Sequence, residues 1–461
     1  MDTMTNNKQK LHIAMFPWFA MGHITSYMHL SNKLAHQGHK ISFLLPSKPH
    51  KFISTLNHHP NLITLINVPL PTIPGLHPNT QTTADCTNFS THHLLATAFD
   101  KTAPFIESSL HTLKPDFIFY DFAYWVPRIA NRFGLLAVCF FTVSSASVAH
   151  LLIPDEECDL SDQSVPADFP HPCVALRKYE AKMRSSFATE DQYGEGVSLK
   201  ERLIKAVKNS NAIVFKTCRE LEGHYLDYVE KHSKKAVLTA GPTIPAQPST
   251  PLNEHISAWL STFKPKSVIY CAFGSENVLP LTQFQELVLG IELTGLPFLV
   301  ALKRPAEVDH SIDLALPDGF KRRTKDRGMV TEEWVQQLQI LGHESVGCFV
   351  THCGSGSVME GLISECQLVL CPRVAEQSIN ARVMGRDLRV GVEVELREED
   401  GLFDRYGVCE AVKQAMDLED GGIGKEVMIN HDKWRKLLLT PGLETSCVED
   451  LVNKLKHLIN K

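Results

Sequence analysis

Short apolar runs alternate with helix-patterned stretches along the whole chain. In the first half, Leu11–Phe16, Ile41–Leu45, Phe117–Tyr120 and Leu136–Phe141 are apolar almost without a break. Runs of this length, rich in β-branched and aromatic residues, read as strands buried on both faces. Helical periodicity follows the first and third runs, at about Ile24–His36 and Trp125–Arg132. The second half repeats the alternation. Val268–Phe273, Phe298–Ala301, Cys348–Thr351 and Leu368–Cys371 read as strands, Leu281–Thr294 and Ser357–Ser364 as helices. Strands that alternate with helices form a parallel sheet covered on both faces, so the expected class is α/β with doubly wound sheets.

A chain of 461 residues exceeds one ordinary core, which makes two domains the natural expectation. The stretch Gly241–Asn253 carries four prolines and no apolar period, and it reads as a linker. The expected division is an acceptor-binding domain over 1–240, a linker over 241–256, a second domain over 257–440 and a closing segment over 441–461. In that closing segment Val448, Leu451, Val452, Leu455, Leu458 and Ile459 share one helical face, which suits packing back onto the first domain. A long irregular stretch at about 154–195 is of the kind that is often functional. Ligands of doubly wound sheets bind outside the carboxyl ends of the strands, so two Rossmann-like domains facing each other across a cleft are expected.

Composition narrows the partners. The net charge of −6 is spread along the chain and argues against nucleic acid or an anionic membrane surface. No run of roughly 20 apolar residues suggests a bilayer span, and no signal peptide is visible. Twelve cysteines without a Cys-x-x-Cys, several of them inside apolar runs (Cys139, Cys271, Cys348, Cys371), fit a reducing compartment. A cytoplasmic monomer is expected.

The chemistry concentrates between Trp334 and Gln377. The strand Cys348–Thr351 runs into His352-Cys353-Gly354-Ser355-Gly356-Ser357, where a helix begins. Backbone N–H groups at such a start bind an anion, and glycines let a phosphate approach closely. The turn is not a dinucleotide fingerprint, because Met359 stands at the third glycine position. Each neighbouring feature admits two readings when taken alone. Trp334 suits base stacking or ordinary packing. Glu360 suits ribose hydroxyls or a helix dipole, and Glu376-Gln377 suits sugar hydroxyls or a helix start.

Together these residues resemble the plant secondary-product glycosyltransferase box of family 1 UDP-glycosyltransferases. The match comprises Trp334, Gln337, Leu341, His343, Val346-Gly347, Phe349, Thr351-His352-Cys353-Gly354, Ser357, Glu360, Pro372 and Gln377. The likeness extends over the whole chain, through the Gly22-His23 turn and the Cys271-Ala-Phe-Gly-Ser275 strand end. It implies the GT-B fold and a UDP-sugar donor as co-substrate, with no cofactor. By that likeness Trp334 stacks on uracil and Val335 contacts it through its backbone. Gln337 and Glu360 hold ribose, Ser275, His352, Gly354 and Ser357 face the diphosphate, and Glu376 and Gln377 hold the sugar. Ser355-Gly356 departs from the family's usual Trp-Asn, in the manner of the clade that extends a flavonoid glycoside. Arg373, near the sugar end, reads as a solvated arginine, with a contact that favours an acidic sugar as the alternative.

In the first half His23 follows a strand and opens a helix, and Asp121 directly ends the strand Phe117–Tyr120. Alone, a helix-start histidine reads as a cap or surface group. The resemblance makes His23 the general base and Asp121 the group that holds its far nitrogen. Phe16, Trp18, Phe122, Tyr124 and Trp125 cluster beside them as candidates for the wall of an acceptor pocket. No DxD, HExxH or zinc-spaced set occurs, so no metal is expected. The expected activity is inverting transfer from a UDP-sugar, glucose first, to a small aromatic glycoside such as a flavonoid or anthocyanidin 3-O-glycoside, at its 2″-hydroxyl. UDP-xylose, UDP-rhamnose, a terpenoid or steroid glycoside, and a silent UDP-sugar-binding protein are the alternatives.

Overall fold

The computed structural model describes residues 10–86, 89–154, 165–181, 193–245, 250–274 and 277–460, without the side chains of 89, 90 and 375. The described residues fall into two compact units. One gathers those of Met1–Leu152, Ser185–Thr243 and Glu444–Lys461, the other those of Ile153–Arg184 and Ile244–Leu443.

The first unit is built on β1 (His12–Phe16), β2 (Lys40–Leu45), β3 (Ile63–Asn67), β4 (Phe117–Tyr120), β5 (Leu136–Phe141), β6 (Ala212–Phe215) and β7 (Ala236–Thr239). Their order is β3-β2-β1-β4-β5-β6-β7, and every neighbouring pair is parallel. Alternate residues such as Ile13, Met15, Phe117, Phe119, Val138 and Phe140 join one buried cluster on one face of the sheet. The helix Leu443–Ile459 completes that cluster with Val448, Leu451, Val452 and Leu455. At its start Glu444 is held by His29 and by Lys33, the latter at 2.5 Å.

The second unit is built on β8 (Val268–Ala272), β9 (Phe298–Ala301), β10 (Gly328–Thr331), β11 (Val346–Thr351), β12 (Gln367–Leu370) and β13 (Gly391–Glu393). The order is β10-β9-β8-β11-β12-β13, again parallel throughout. In both sheets the strand order reverses beside the first strand, between β1 and β4 and between β8 and β11. Such a reversal leaves a crevice outside the carboxyl ends. The registers bring the ends level there, Phe16 opposite Tyr120 and Ala272 opposite Thr351.

The span 1–240 is interrupted, because the described part of Ile153–Arg184 lies with the second unit. Glu180 and Arg382, both buried, form an ion pair. The ring of Tyr179 fills the space over Gly401, where a Cβ would come within 2.2 Å of it. Five strands (β3, β6, β7, β10, β13) are absent from the sequence reading. β3, β7, β10 and β13 are sheet edges, and β6 is an interior strand of four residues. No described helix is long and apolar enough to cross a membrane.

Candidate active site

In the first unit β1 delivers the chain to a turn, Pro17 to Ala20, and then to the helix Met21–His36. His23 sits in its first turn, and β4 ends directly before Asp121. The His23 Nδ1 lies 2.7 Å from the Asp121 Oδ2. The other carboxylate oxygen, Oδ1, accepts from the backbone N–H of Trp18 at 2.8 Å and of Phe122 at 2.6 Å. An oxygen pair engaged in this way acts as an acceptor, so Nδ1 carries the proton and Nε2 keeps its lone pair. The Asp121 side chain is 1% exposed and that of His23 18%. The imidazole is thereby fixed in tautomer and orientation, on a side chain that is itself partly exposed.

The aromatic candidates beside this pair divide by burial. Phe122 is half-buried, meets the His23 ring edge to face at 5.4 Å and stacks on Trp18 at 5.3 Å. Phe16 is fully enclosed, stacked on Phe99 at 4.8 Å, and offers no surface to a ligand. Trp18 and Trp125 are also buried, and Trp125 donates its Nε1–H to Asp100 at 2.9 Å. These three rings are core, and of the four only Phe122 keeps exposed surface. Tyr124 is half-buried under the Arg202 guanidinium, at 5.0 Å. Tyr193 packs against Trp18 at 5.9 Å and against Phe122 at 6.2 Å. The sequence reading missed Tyr193, because it lies far along the chain with no strand beside it.

In the second unit β11 ends at Thr351 and the helix Ser355–Ile363 begins after Gly354. Cys353 adopts a φ of 65°, a left-handed conformation uncommon for a residue with a side chain. Its carbonyl accepts from the Asn380 amide at 3.0 Å, a support no local pattern reveals. A Cβ on Gly354 would come within 2.4 Å of the His352 Nε2, and one on Gly274 within 3.0 Å of the same ring. His352 is itself buried, and burial drives its pKa down to about 4, against a weaker upward pull from the Ala272 carbonyl. Among the described residues its Nδ1 has no hydrogen-bond partner. The helix start and a neutral imidazole thus share one crevice, an arrangement suited to an anion. Ser275 lies outside the described residues.

A cavity of about 510 Å³ lies beside this turn, lined among others by Gly274, Lys303, Trp334, Val335, Gln337 and Glu360. Trp334 is 85% exposed, so its indole face is open. Gln337 donates to the Glu360 carboxylate at 2.6 Å and lies 3.4 Å from the Ser357 hydroxyl. The Tyr270 hydroxyl donates to Gln337 at 3.2 Å, a role hidden in a strand residue that otherwise reads as core. Burial pushes the Glu360 carboxyl above its usual range, and the Gln337 bond opposes this. The exposed Glu376 opens the helix Ala375–Arg382. The Gln377 side-chain oxygen accepts from the backbone N–H of Arg373 at 3.0 Å and of Val374 at 3.3 Å, so it shapes the loop before that helix. Arg373 is only partly exposed. It lies over the Phe403 ring at 5.6 Å and 3.3 Å from the Gln283 side-chain oxygen, which corrects its reading as a solvated arginine.

Comparison with known proteins agrees with this chemistry. The family described as UDP-glucoronosyl and UDP-glucosyl transferase matches residues 200–422. The anthocyanidin 3-O-glucoside 2″-O-glucosyltransferase of Ipomoea nil is 44% identical, over 97% of this chain and 98% of its own length. The cyanidin 3-O-galactoside 2″-O-xylosyltransferase FGGT1 of Actinidia chinensis var. chinensis is 45% identical, again over 97% and 98%. Among solved structures, Glycyrrhiza uralensis UGT73P12 complexed with glycyrrhetinic acid 3-O-monoglucuronide superposes with a TM-score of 0.82 at 21% identity, covering 98% of this chain and 96% of that one. The chain belongs to the UDP-glycosyltransferase family. It is a UDP-dependent glycosyltransferase of the GT-B fold class.

Proposed function

We propose that this enzyme transfers glucose from UDP-glucose to the 2″-hydroxyl of an anthocyanidin or flavonoid 3-O-glycoside, with inversion. The observation that carries the reading is the His23–Asp121 pair, whose Nδ1 is held at 2.7 Å on a side chain that stays partly exposed. Nε2 takes the proton of the acceptor hydroxyl as its oxygen forms the new bond to the anomeric carbon. The bond from that carbon to the diphosphate breaks, and UDP leaves with the electron pair. The helix start at Gly354 and the neutral His352 offer N–H groups to the departing charge. No metal enters this scheme.

The acceptor class is supported by the named activity of the Ipomoea relative. The Actinidia relative names a xylosyl donor, which makes UDP-xylose the second reading. The test is incubation with UDP-glucose or UDP-xylose and an anthocyanidin 3-O-glucoside, followed by UDP release and product mass. A product heavier by one hexose and carrying a 1→2 linkage supports the reading. A pentose product moves the donor to xylose, and UDP release without a glycoside product overturns transfer to this acceptor.

A further inference from the structure

We propose that the buried Asp100–Arg202 pair is a positioning device for the catalytic dyad, acting through the backbone of Phe122. This rests on the assignment of His23 as base. Asp100 ends the helix Phe89–Asp100, and Arg202 lies in the first turns of the helix Leu199–Asn209. Arg202 is 0% exposed and every one of its guanidinium N–H donors is used. Its Nε donates to the Tyr193 carbonyl at 3.0 Å, and one terminal nitrogen, NH2, donates to the same carbonyl and to Asp100 Oδ2, both at 2.6 Å. The other, NH1, donates to Asp100 Oδ1 at 2.8 Å and to the Phe122 carbonyl at 2.9 Å.

The last bond is the consequential one. Phe122 is gripped at both ends, its carbonyl by Arg202 and its N–H by Asp121 Oδ1 at 2.6 Å. Asp121 in turn holds His23, and the Phe122 ring rests edge-on against that imidazole. A shift of the Phe122 backbone would therefore move the N–H donor that aims Asp121. Asp100 adds bonds from the Trp125 indole at 2.9 Å and the Glu195 N–H at 3.0 Å. Gly194 makes room for the fork. It has a φ of +100°, and a Cβ there would fall 2.0 Å from the Arg202 NH2 and 2.3 Å from Asp100 Oδ2.

A buried ion pair contributes little net stability compared with a well-packed apolar replacement, whereas a planar fork defines direction. Lysine retains the charge and loses the fork, so R202K separates the two roles. The expected result is a folded protein with kcat lower by about ten- to hundredfold, and with UDP affinity and donor KM unchanged. The deciding measurement is a double-mutant cycle with Asp121→Asn. If Arg202 acts through the dyad, R202K costs almost nothing further once Asp121 no longer aims His23. Multiplying losses, or a wild-type kcat with only a lowered melting temperature, overturn the proposal. Should R202K not accumulate as folded protein, G194A, whose Cβ crowds both the guanidinium and the Asp100 carboxylate while leaving both side chains present, goes through the same cycle. An active His23→Ala would instead remove the base assignment itself. An inactive His23→Ala with multiplying R202K and D121N losses removes only the positioning role.

Discussion

Each of the two sheets places a histidine just past the end of a strand at its reversal point, and the two histidines live in opposite surroundings. His23 has a carboxylate at Nδ1 and a partly exposed side chain. His352 is enclosed, finds no partner at Nδ1 among the described residues, and is pushed down to about pKa 4. The partner sets the job more than the residue type does. A carboxylate compensates the charge that arrives with a proton, which suits His23 to base catalysis. Burial without one keeps His352 neutral near pH 7, able to donate a hydrogen bond to a phosphate oxygen and poorly suited to take a proton. Removing each histidine should therefore damage different quantities.

The largest effect is expected in the first crevice. His23→Ala should lower kcat/KM by about a thousandfold, within the usual range for loss of a general base. UDP affinity, measured by titration calorimetry, should stay as it is. Retained turnover, or a parallel loss of UDP binding, would break the contrast between the two histidines. The second crevice responds the other way. In Gly354→Ala the new Cβ falls 2.4 Å from the His352 Nε2, so ring and helix start must part. UDP should bind about ten- to a hundredfold more weakly, at roughly 1.4 kcal/mol per factor of ten. An unchanged dissociation constant would mean that the helix start does not bind the diphosphate.

The two crevices were unequally legible in the sequence. Asp121 directly follows the apolar run Phe117–Tyr120 and His23 opens the helix after Leu11–Phe16, so their place near a carboxyl edge could be read locally, as could the turn at His352. The supports of both could not. Arg202 meets Asp100 across 102 positions of chain, and Tyr270 meets Gln337 across 67. No periodicity encodes such pairings, which arise only when helices cover a sheet. The same reason misassigned Phe16. An aromatic beside a strand end looks like a pocket wall until Phe99 is found stacked on it. The strands left unread were short or at the edge, and β3, with mixed burial along Ile63–Asn67, has no continuous apolar run to recognise.

The neutrality of His352 carries a pH signature. The unfolded chain protonates it near pH 6.5, the folded chain only near pH 4. Between those values the unfolded state binds the extra proton, so stability falls as pH falls through this window and is unaffected above it. The contribution lost by pH 5 is about 2 kcal/mol. His39, buried and likewise lowered to about 4, adds the same trend from the other unit, so the informative quantity is a difference. Urea midpoints of the wild type and His352→Gln should converge on acidification, the variant losing less. Parallel curves would show that His352 is protonated in the folded protein.

The smallest expected effect lies at the ribose end, where the contrast is between charge and shape. Glu360 already receives the Gln337 amide at 2.6 Å, and its carboxyl is pushed above the usual range by burial. Glu360→Gln keeps the shape and one acceptor oxygen while removing the charge. Hydrogen bonds to an ionised acceptor are roughly twice as strong as neutral ones, a difference of about 1 kcal/mol. The donor KM should thus rise about fivefold, with kcat and acceptor KM nearly unchanged, as expected for binding that is uniform between ground and transition state. In the wild type the donor KM should also climb as pH falls through the raised Glu360 pKa, and in the variant that climb should vanish. A pH-dependent donor KM that survives in Glu360→Gln would place the titrating group elsewhere in the second unit and remove Glu360 from ribose binding.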